Sequence, residues 1–234
     1  TQTPSYQVTD PATGEVRETF PFATDTEVEA AVAAATQAYD AWRRRPVAER
    51  AAIVKRIGEL FAERAPELGA LITTEMGKRP SAAQGEAEFC AEIFGYYADN
   101  GPDLLADKPL PGHANARIEH LPVGPILGVM PWNYPYYQVA RFAAPNFLAG
   151  NTVILKHAEN CPTSALAIAQ LFTDAGVPDG VYTNLFATHE QVAAMIADKR
   201  VRGVSLTGSE RAGTAVAETA GRHLKKVVLE LGGS

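Results

Sequence analysis

The stretch PILGVMPWNYPYY, Pro125–Tyr137, decides how this chain folds. An apolar, β-rich run, PILGVM, stops at a proline, and Trp-Asn-Tyr then sits between Pro131 and Pro135. Proline lacks an N–H and fixes φ, so Pro131 ends a strand and Pro135 stiffens the residues after it. Trp132, Asn133 and Tyr134 are therefore expected on a stiff turn at a strand's carboxyl end. Open α/β sheets bind their ligands at that edge.

Downstream the pattern repeats. The β-rich runs TVILK (152–156), VYTNLFA (181–187), VRGVSLT (201–207) and KKVVLEL (225–231) are separated by helical stretches. These are CPTSALAIAQLFTDAG (161–176), THEQVAAMIADK (188–199) and SERAGTAVAETAGRHL (209–224). Short strands alternating with helices predict βαβ units, right-handed crossovers and a parallel sheet. Upstream, Thr24 and Glu27 have capping-box spacing ahead of an Ala-rich helix. Ile53, Ile57, Leu60 and Phe61 recur at helical spacing, and LGALITTEMG is expected to continue that helix to Gly77. A third helix is expected over 83–100, making the first hundred residues a mostly helical layer. Residues 103–124 are rich in Pro, Gly and polar side chains around the alternating run ARIEHLP. Composition allows either an extended hairpin or arm, or a surface loop. The fold class is thus α/β, a Rossmann-like parallel sheet with flanking helices, a helical amino-terminal layer and an extended arm.

The 234 residues are 46% hydrophobic, enough for one or two globular domains with a core. A net charge of −6 provides no basic footprint for nucleic acid. No apolar run approaches the roughly 18 residues a membrane helix needs, and TQTPSYQVTDPATGE lacks the pattern of a secretory signal. Cys90 and Cys161 form neither a disulfide framework nor a metal-ligand spacing, and the five histidines show no ligand pattern. A cytoplasmic protein with no metal and no membrane or nucleic-acid partner is expected.

Several residues carry chemical interest. In VSLTGSERAG, Thr207 and Glu210 have capping-box spacing, Gly208 permits close backbone approach and Ser209 offers a hydroxyl. Free N–H groups and the helix dipole suit a pyrophosphate there, although an ordinary cap explains the same residues. The Gly-x-Gly-x-x-Gly fingerprint is absent. In VILKHAEN, Lys156 and Glu159 at a strand's carboxyl edge fit the hydroxyls of a ribose. The carboxylate would repel a 2′-phosphate and so favour NAD over NADP; a surface ion pair is the alternative. Glu230, in an apolar strand end before Gly232 and Gly233, suits general-base work if its surroundings raise its pKa. It equally fits an outward-pointing residue of an edge strand. Asn133 offers an NH₂ to a developing oxyanion, or else bonds its own backbone. Cys161, ahead of a helix, is near a position that can activate a thiol; an inert cysteine is expected at both positions.

Taken in order, PWNYP, LKHAE, LTGSERAG and LELGGS resemble the signatures of the aldehyde dehydrogenase superfamily, and within it the bacterial succinate-semialdehyde dehydrogenases. The likeness is strong from Leu121 to Ser234 and looser upstream. It implies NAD(P)⁺-dependent oxidation of an aldehyde, succinate semialdehyde among them, through a cysteine thiohemiacetal and thioester. By that resemblance Asn133 donates to the oxyanion, and Pro131, Trp132 and Leu231 lie on the nicotinamide side. Lys156 and Glu159 hold the adenosine ribose, Gly208 and Ser209 contact the pyrophosphate, and Glu230 activates the hydrolytic water. The resemblance also implies an NAD(P)-binding domain over 1–102 and 122–234, an oligomerisation arm over 103–121, and homodimers or homotetramers of the full-length enzyme. Neither cysteine matches the family's nucleophile, which lies downstream of the Leu-Glu-Leu-Gly-Gly motif. The chain is therefore expected to resemble the family's amino-terminal half and to be inactive alone. A cofactor-binding fragment or scaffold without the nucleophile is the competing reading. A reductase of acyl phosphates or acyl-CoA is a third, disfavoured by Glu230, for which it has no use.

Overall fold

A computed structural model describes residues 5–232. The chain opens with an antiparallel hairpin of β1 (Tyr6–Thr9) and β2 (Val16–Phe20), Tyr6 opposite Phe20. Sequence alone predicts no strand here. β2 is almost wholly exposed and carries no apolar alternation, while β1 buries only Tyr6 and Val8. Helices α1 (Asp25–Trp42), α2 (Val47–Glu63), α3 (Ala65–Met76) and α4 (Pro80–Leu105) come next. The Thr24–Glu27 capping box forms as expected. The stretch 68–77 does not continue α2, because the helix breaks at Arg64 and restarts with Pro66 in its first turn, where a missing N–H costs nothing. α3 ends at Gly77, whose φ of +73° is readily adopted only by glycine. α4 runs three residues into the stretch read as an arm. An exposed hairpin of β3 (Lys108–Pro109) and β4 (Arg117–Ile118) comes after it.

From Pro125 the alternation read from sequence is present. The elements are β5 (Pro125–Val129), α5 (Tyr137–Ala149), β6 (Thr152–Lys156), α6 (Pro162–Asp174), β7 (Tyr182–Asn184), α7 (His189–Ala197), β8 (Gly203–Gly208), α8 (Glu210–Arg222) and β9 (Lys226–Leu231). The five strands form one parallel sheet in the order β7-β6-β5-β8-β9. The chain winds outward from β5 to β7, then returns to β8 on the other side. β5 and β8 therefore flank the switch point, where a crevice opens at the carboxyl edge.

Side chains along β6 alternate between two cores, as the period of two requires. Val153 and Leu155 join α2, α4, α5 and α6 in one core, whereas Ile154 joins α1, α7 and α8 in the other. Gly128 of β5 lets α5 come close, since a Cβ there would lie 2.6 Å from Phe142 Cε1. No described helix is long and apolar enough to cross a membrane.

Candidate active site

The turn after β5 carries Pro131, Trp132 and Asn133 to the switch point. They face the ends of β8 and β9 across a cleft of about 500 Å³, into which Gly208, Ser209, Glu230 and Leu231 also look. Residues from three sequence-distant segments thus meet in one crevice. Asn133 accepts a hydrogen bond from the Tyr134 N–H on Oδ1 at 3.1 Å, so its side-chain NH₂ is the group left to donate.

β8 extends through Gly208, so the expected Thr207–Glu210 capping box does not form. Ser209 is the N-cap of α8, its Oγ accepting from the Ala212 N–H at 3.3 Å. The hydroxyl hydrogen stays available to an anion at this helix start. A Cβ at Gly208 would meet only ordinary contacts, the nearest Leu206 Cδ2 at 3.6 Å, so packing does not demand glycine there. The open space in front suits close backbone approach by a ligand phosphate.

Glu230 is not in apolar surroundings. β9 pairs only with β8 among the described residues, and the Glu230 side chain is 53% exposed. It is exposed and lines the first cleft. Gly233, part of the bend read after it, lies outside the described residues. Glu230 faces Arg141 of α5, Oε1 to Nη1 3.6 Å. Arg141 also donates from Nη2 to Thr207 Oγ1 at 2.8 Å and from Nε to Gln138 Oε1 at 2.8 Å. It ties α5 to the ends of β8 and β9.

A second cleft, about 370 Å³, opens between α7 and α8 with Lys156, Val129 and Leu206 on its floor. The Lys156 ammonium is buried and donates to Glu159 Oε1 at 3.4 Å, while the Glu159 side chain is 43% exposed. Burial lowers the Lys156 pKa, and Glu159 acts in the opposite sense. His189 Nε2 lies 3.9 Å from the same carboxylate oxygen. The pair is thus more than a surface ion pair, because one member is buried at the cleft. The mostly apolar lining beside a buried cation and a carboxylate fits an adenosine, and the open glycine turn in the first cleft fits its phosphates. The donor set accommodates a dinucleotide across the switch point.

The surroundings activate neither cysteine as a thiol. Cys161 is the N-cap of α6, yet burial foremost, with nearby Glu75 and Glu86, pushes its pKa well up. Cys90 is raised by burial and by Glu86. Among the described residues no three His, Cys, Asp or Glu side chains gather as metal ligands.

Sequence reasoning missed what holds the turn. Lys78, just past the Gly77 stop, donates to the Asn133 carbonyl at 3.0 Å and to Glu86 Oε2 at 2.5 Å, with its ammonium 3.6 Å from the Tyr134 ring centroid. Glu86 Oε1 accepts from the backbone N–H groups of Tyr136 and Tyr137, at 2.8 and 3.1 Å, at the start of α5. Buried His157 bonds the Pro135 carbonyl through Nε2 at 2.9 Å while Nδ1 accepts from the Ala158 N–H at 2.7 Å. One signal was present: Glu86 shares a helical stripe with Ala83, Ala87, Cys90 and Phe94, and a carboxylate on an apolar stripe needs a buried partner.

A model of the aldehyde dehydrogenase family matches residues 1–234. The chain is 56% identical over 230 residues to the succinate-semialdehyde dehydrogenase (NADP+) of Deinococcus radiodurans, covering 98% of this chain and 48% of that protein. The crystal structure of the Streptococcus pyogenes succinic semialdehyde dehydrogenase in complex with NADP⁺ superposes with a TM-score of 0.95 at 43% identity, over 98% of this chain and 51% of that one. An aldehyde dehydrogenase C variant from Pseudomonas syringae, complexed with NAD⁺ and octanal, gives 0.93 at 36% identity, over 100% of this chain and 48% of that one. The chain spans about half the length of the curated relatives it matches. A five-stranded parallel sheet with its crevice at the switch point, and a family model matched along the whole sequence, lead to one conclusion: the chain belongs to the aldehyde dehydrogenase family.

Proposed function

We propose that these residues form the cofactor-binding part of an NAD(P)⁺-dependent aldehyde dehydrogenase that oxidises succinate semialdehyde to its acid. The observation that carries this reading is the meeting of Asn133, Gly208, Ser209 and Glu230 around one crevice. The likeness to succinate-semialdehyde dehydrogenases supports the substrate. The dinucleotide, when bound, supplies the hydride acceptor. Lys156 and Glu159 hold its adenosine ribose, Gly208 and Ser209 its pyrophosphate, and Pro131, Trp132 and Leu231 border its nicotinamide. Asn133 donates its NH₂ to the oxygen that gains charge as the aldehyde carbon is attacked. Glu230 takes a proton from the water that releases the acid, and Arg141 holds its carboxylate until then. The attacking thiolate comes from outside these 234 residues, since both cysteines here are buried and unactivated. Residues 1–102 and 122–234 act as the NAD(P)-binding domain. Residues 103–121 form an arm that joins copies into dimers or tetramers, in the cytoplasm. Both dinucleotides serve, with Glu159 favouring NAD⁺.

The test is an assay of the full-length protein with succinate semialdehyde, butyraldehyde, NAD⁺ and NADP⁺. The expected result is dinucleotide reduction with a kcat/KM at least tenfold higher for the acid-tailed aldehyde, and no turnover by the isolated 234 residues. Equal rates with both aldehydes overturn the substrate. Turnover by the isolated residues overturns the division of labour.

A further inference from the structure

The turn that carries Asn133 has no regular backbone ladder of its own, so its peptide planes are held from outside. One tie comes from the helical layer. Gly77 ends α3 in a left-handed turn, and the next residue, Lys78, reaches across to the Asn133 carbonyl at 3.0 Å. Glu86, on the second turn of α4, receives Lys78 on one carboxylate oxygen and the Tyr136 and Tyr137 N–H groups on the other. The Glu86 and Lys78 side chains are 1% and 12% exposed. A pair this buried competes little with water, and its geometry is fixed by bonds at both ends. Lys78 therefore fixes the peptide on the carboxyl side of Asn133, while Glu86 fixes the start of α5 three residues later.

We propose that Lys78 and Glu86 are positioning residues of the reaction: they hold the Asn133 peptide so that its side-chain NH₂ stays aimed into the crevice, and they govern turnover without touching aldehyde or dinucleotide. The inference rests on Asn133 being the oxyanion donor. A donor misplaced by about 1 Å forfeits on the order of 10²-fold in rate, comparable to deleting an oxyanion donor outright, about 10²–10³-fold. Neither residue lines the two clefts, so neither is placed to touch the dinucleotide directly.

The experiment compares Lys78→Met, Glu86→Gln, Asn133→Ala and Lys78→Met/Asn133→Ala in the full-length protein, reading kcat, KM, direct dinucleotide binding and thermal midpoint. Lys78→Met is expected to lower kcat by about 10–100-fold while dinucleotide affinity stays within about twofold. On the Asn133→Ala background it should cost almost nothing further, the non-additivity of residues acting through one group. Glu86→Gln keeps an acceptor for the α5 amides while removing the anion that holds Lys78; it should lower kcat too, and it stands in if Lys78→Met fails to fold. Folded variants with unchanged kcat, or losses that simply add to that of Asn133→Ala, overturn the inference alone. An Asn133→Ala variant with full kcat overturns the donor reading first, and the inference with it.

Discussion

The two clefts at the carboxyl edge of the sheet are held in opposite ways. Around the Trp-Asn turn the ties are rooted in the interior: Glu86 on two backbone amides and His157 on the Pro135 carbonyl, with Lys78 carrying that hold out to the Asn133 carbonyl at the exposed tip. At the other cleft the Lys156 ammonium is buried but its partner Glu159, 3.4 Å away, is partly exposed to water, with the exposed His189 at 3.9 Å. Electrostatic ties strengthen as water is excluded, and broken ones become expensive. The turn is thus built for fixed geometry and the Lys156–Glu159 corner for adjustable charge. In the proposed reaction, directing an oxyanion needs the first, whereas discriminating one dinucleotide from another needs only the second.

Breaking the buried side gives the largest expected effect. Glu86→Leu leaves the Lys78 ammonium without its counter-ion and two amides at the start of α5 without an acceptor. Removing one member of a buried pair costs about 3–5 kcal/mol, measured as the loss in urea or thermal unfolding free energy. Lys78→Met/Glu86→Leu, which removes both charges, should recover part of it. A loss below about 1 kcal/mol, the range of an exposed pair, would erase the contrast between the two ends.

Acid sharpens the same contrast. Burial, foremost, lowers the His157 pKa from its usual 6.5 to about 4, so the ring is neutral in the folded protein and donates to Pro135 from Nε2. The unfolded chain takes up this proton below pH 6.5, the folded one only near pH 4. Stability is therefore lost as pH falls from 6.5 towards 4, by about 3 kcal/mol at the lower end. The difference between pH–stability curves of the wild type and His157→Gln isolates this contribution from other titrations. Parallel curves would mean that His157 is not held neutral by burial.

The strands and helices after Pro125 were legible because each keeps a single periodicity and many are bounded by punctuation: Pro131 after β5, Gly150 after α5, Pro162 opening α6, Gly208 closing β8. The residues of the crevice were legible for the same reason, since carboxyl-end residues converge whatever the details. The break at Arg64 was hidden because α2 and α3 are both helical on either side of it and Pro66 sits where a helix tolerates proline. The exposure of Glu230 depends on β9 taking an outer position, which strand order sets and local sequence does not. Lys78 and Glu86 act across 55 and 50 residues of chain, and no local spacing encodes such a contact.

The smallest effect falls on the open corner, where it separates dinucleotide choice from stability. Glu159→Ser removes a half-exposed carboxylate from beside the buried Lys156 ammonium, which keeps the open cleft in front of it, so the unfolding free energy should fall by less than in Glu86→Leu. Dinucleotide binding should move in two directions. A ribose 2′-hydroxyl loses its acceptor, so NAD⁺ binds several-fold more weakly, whereas a 2′-phosphate loses a repelling charge and keeps the buried Lys156. NADP⁺ should then bind roughly tenfold more tightly, about 1.4 kcal/mol, a gain that shrinks as salt screens the exposed carboxylate. Titrating the full-length protein with each dinucleotide at low and high salt reads both changes. If the two affinities fall together, Glu159 does not face the ribose. If neither changes, the Lys156–Glu159 pair is structural and the open corner discriminates nothing.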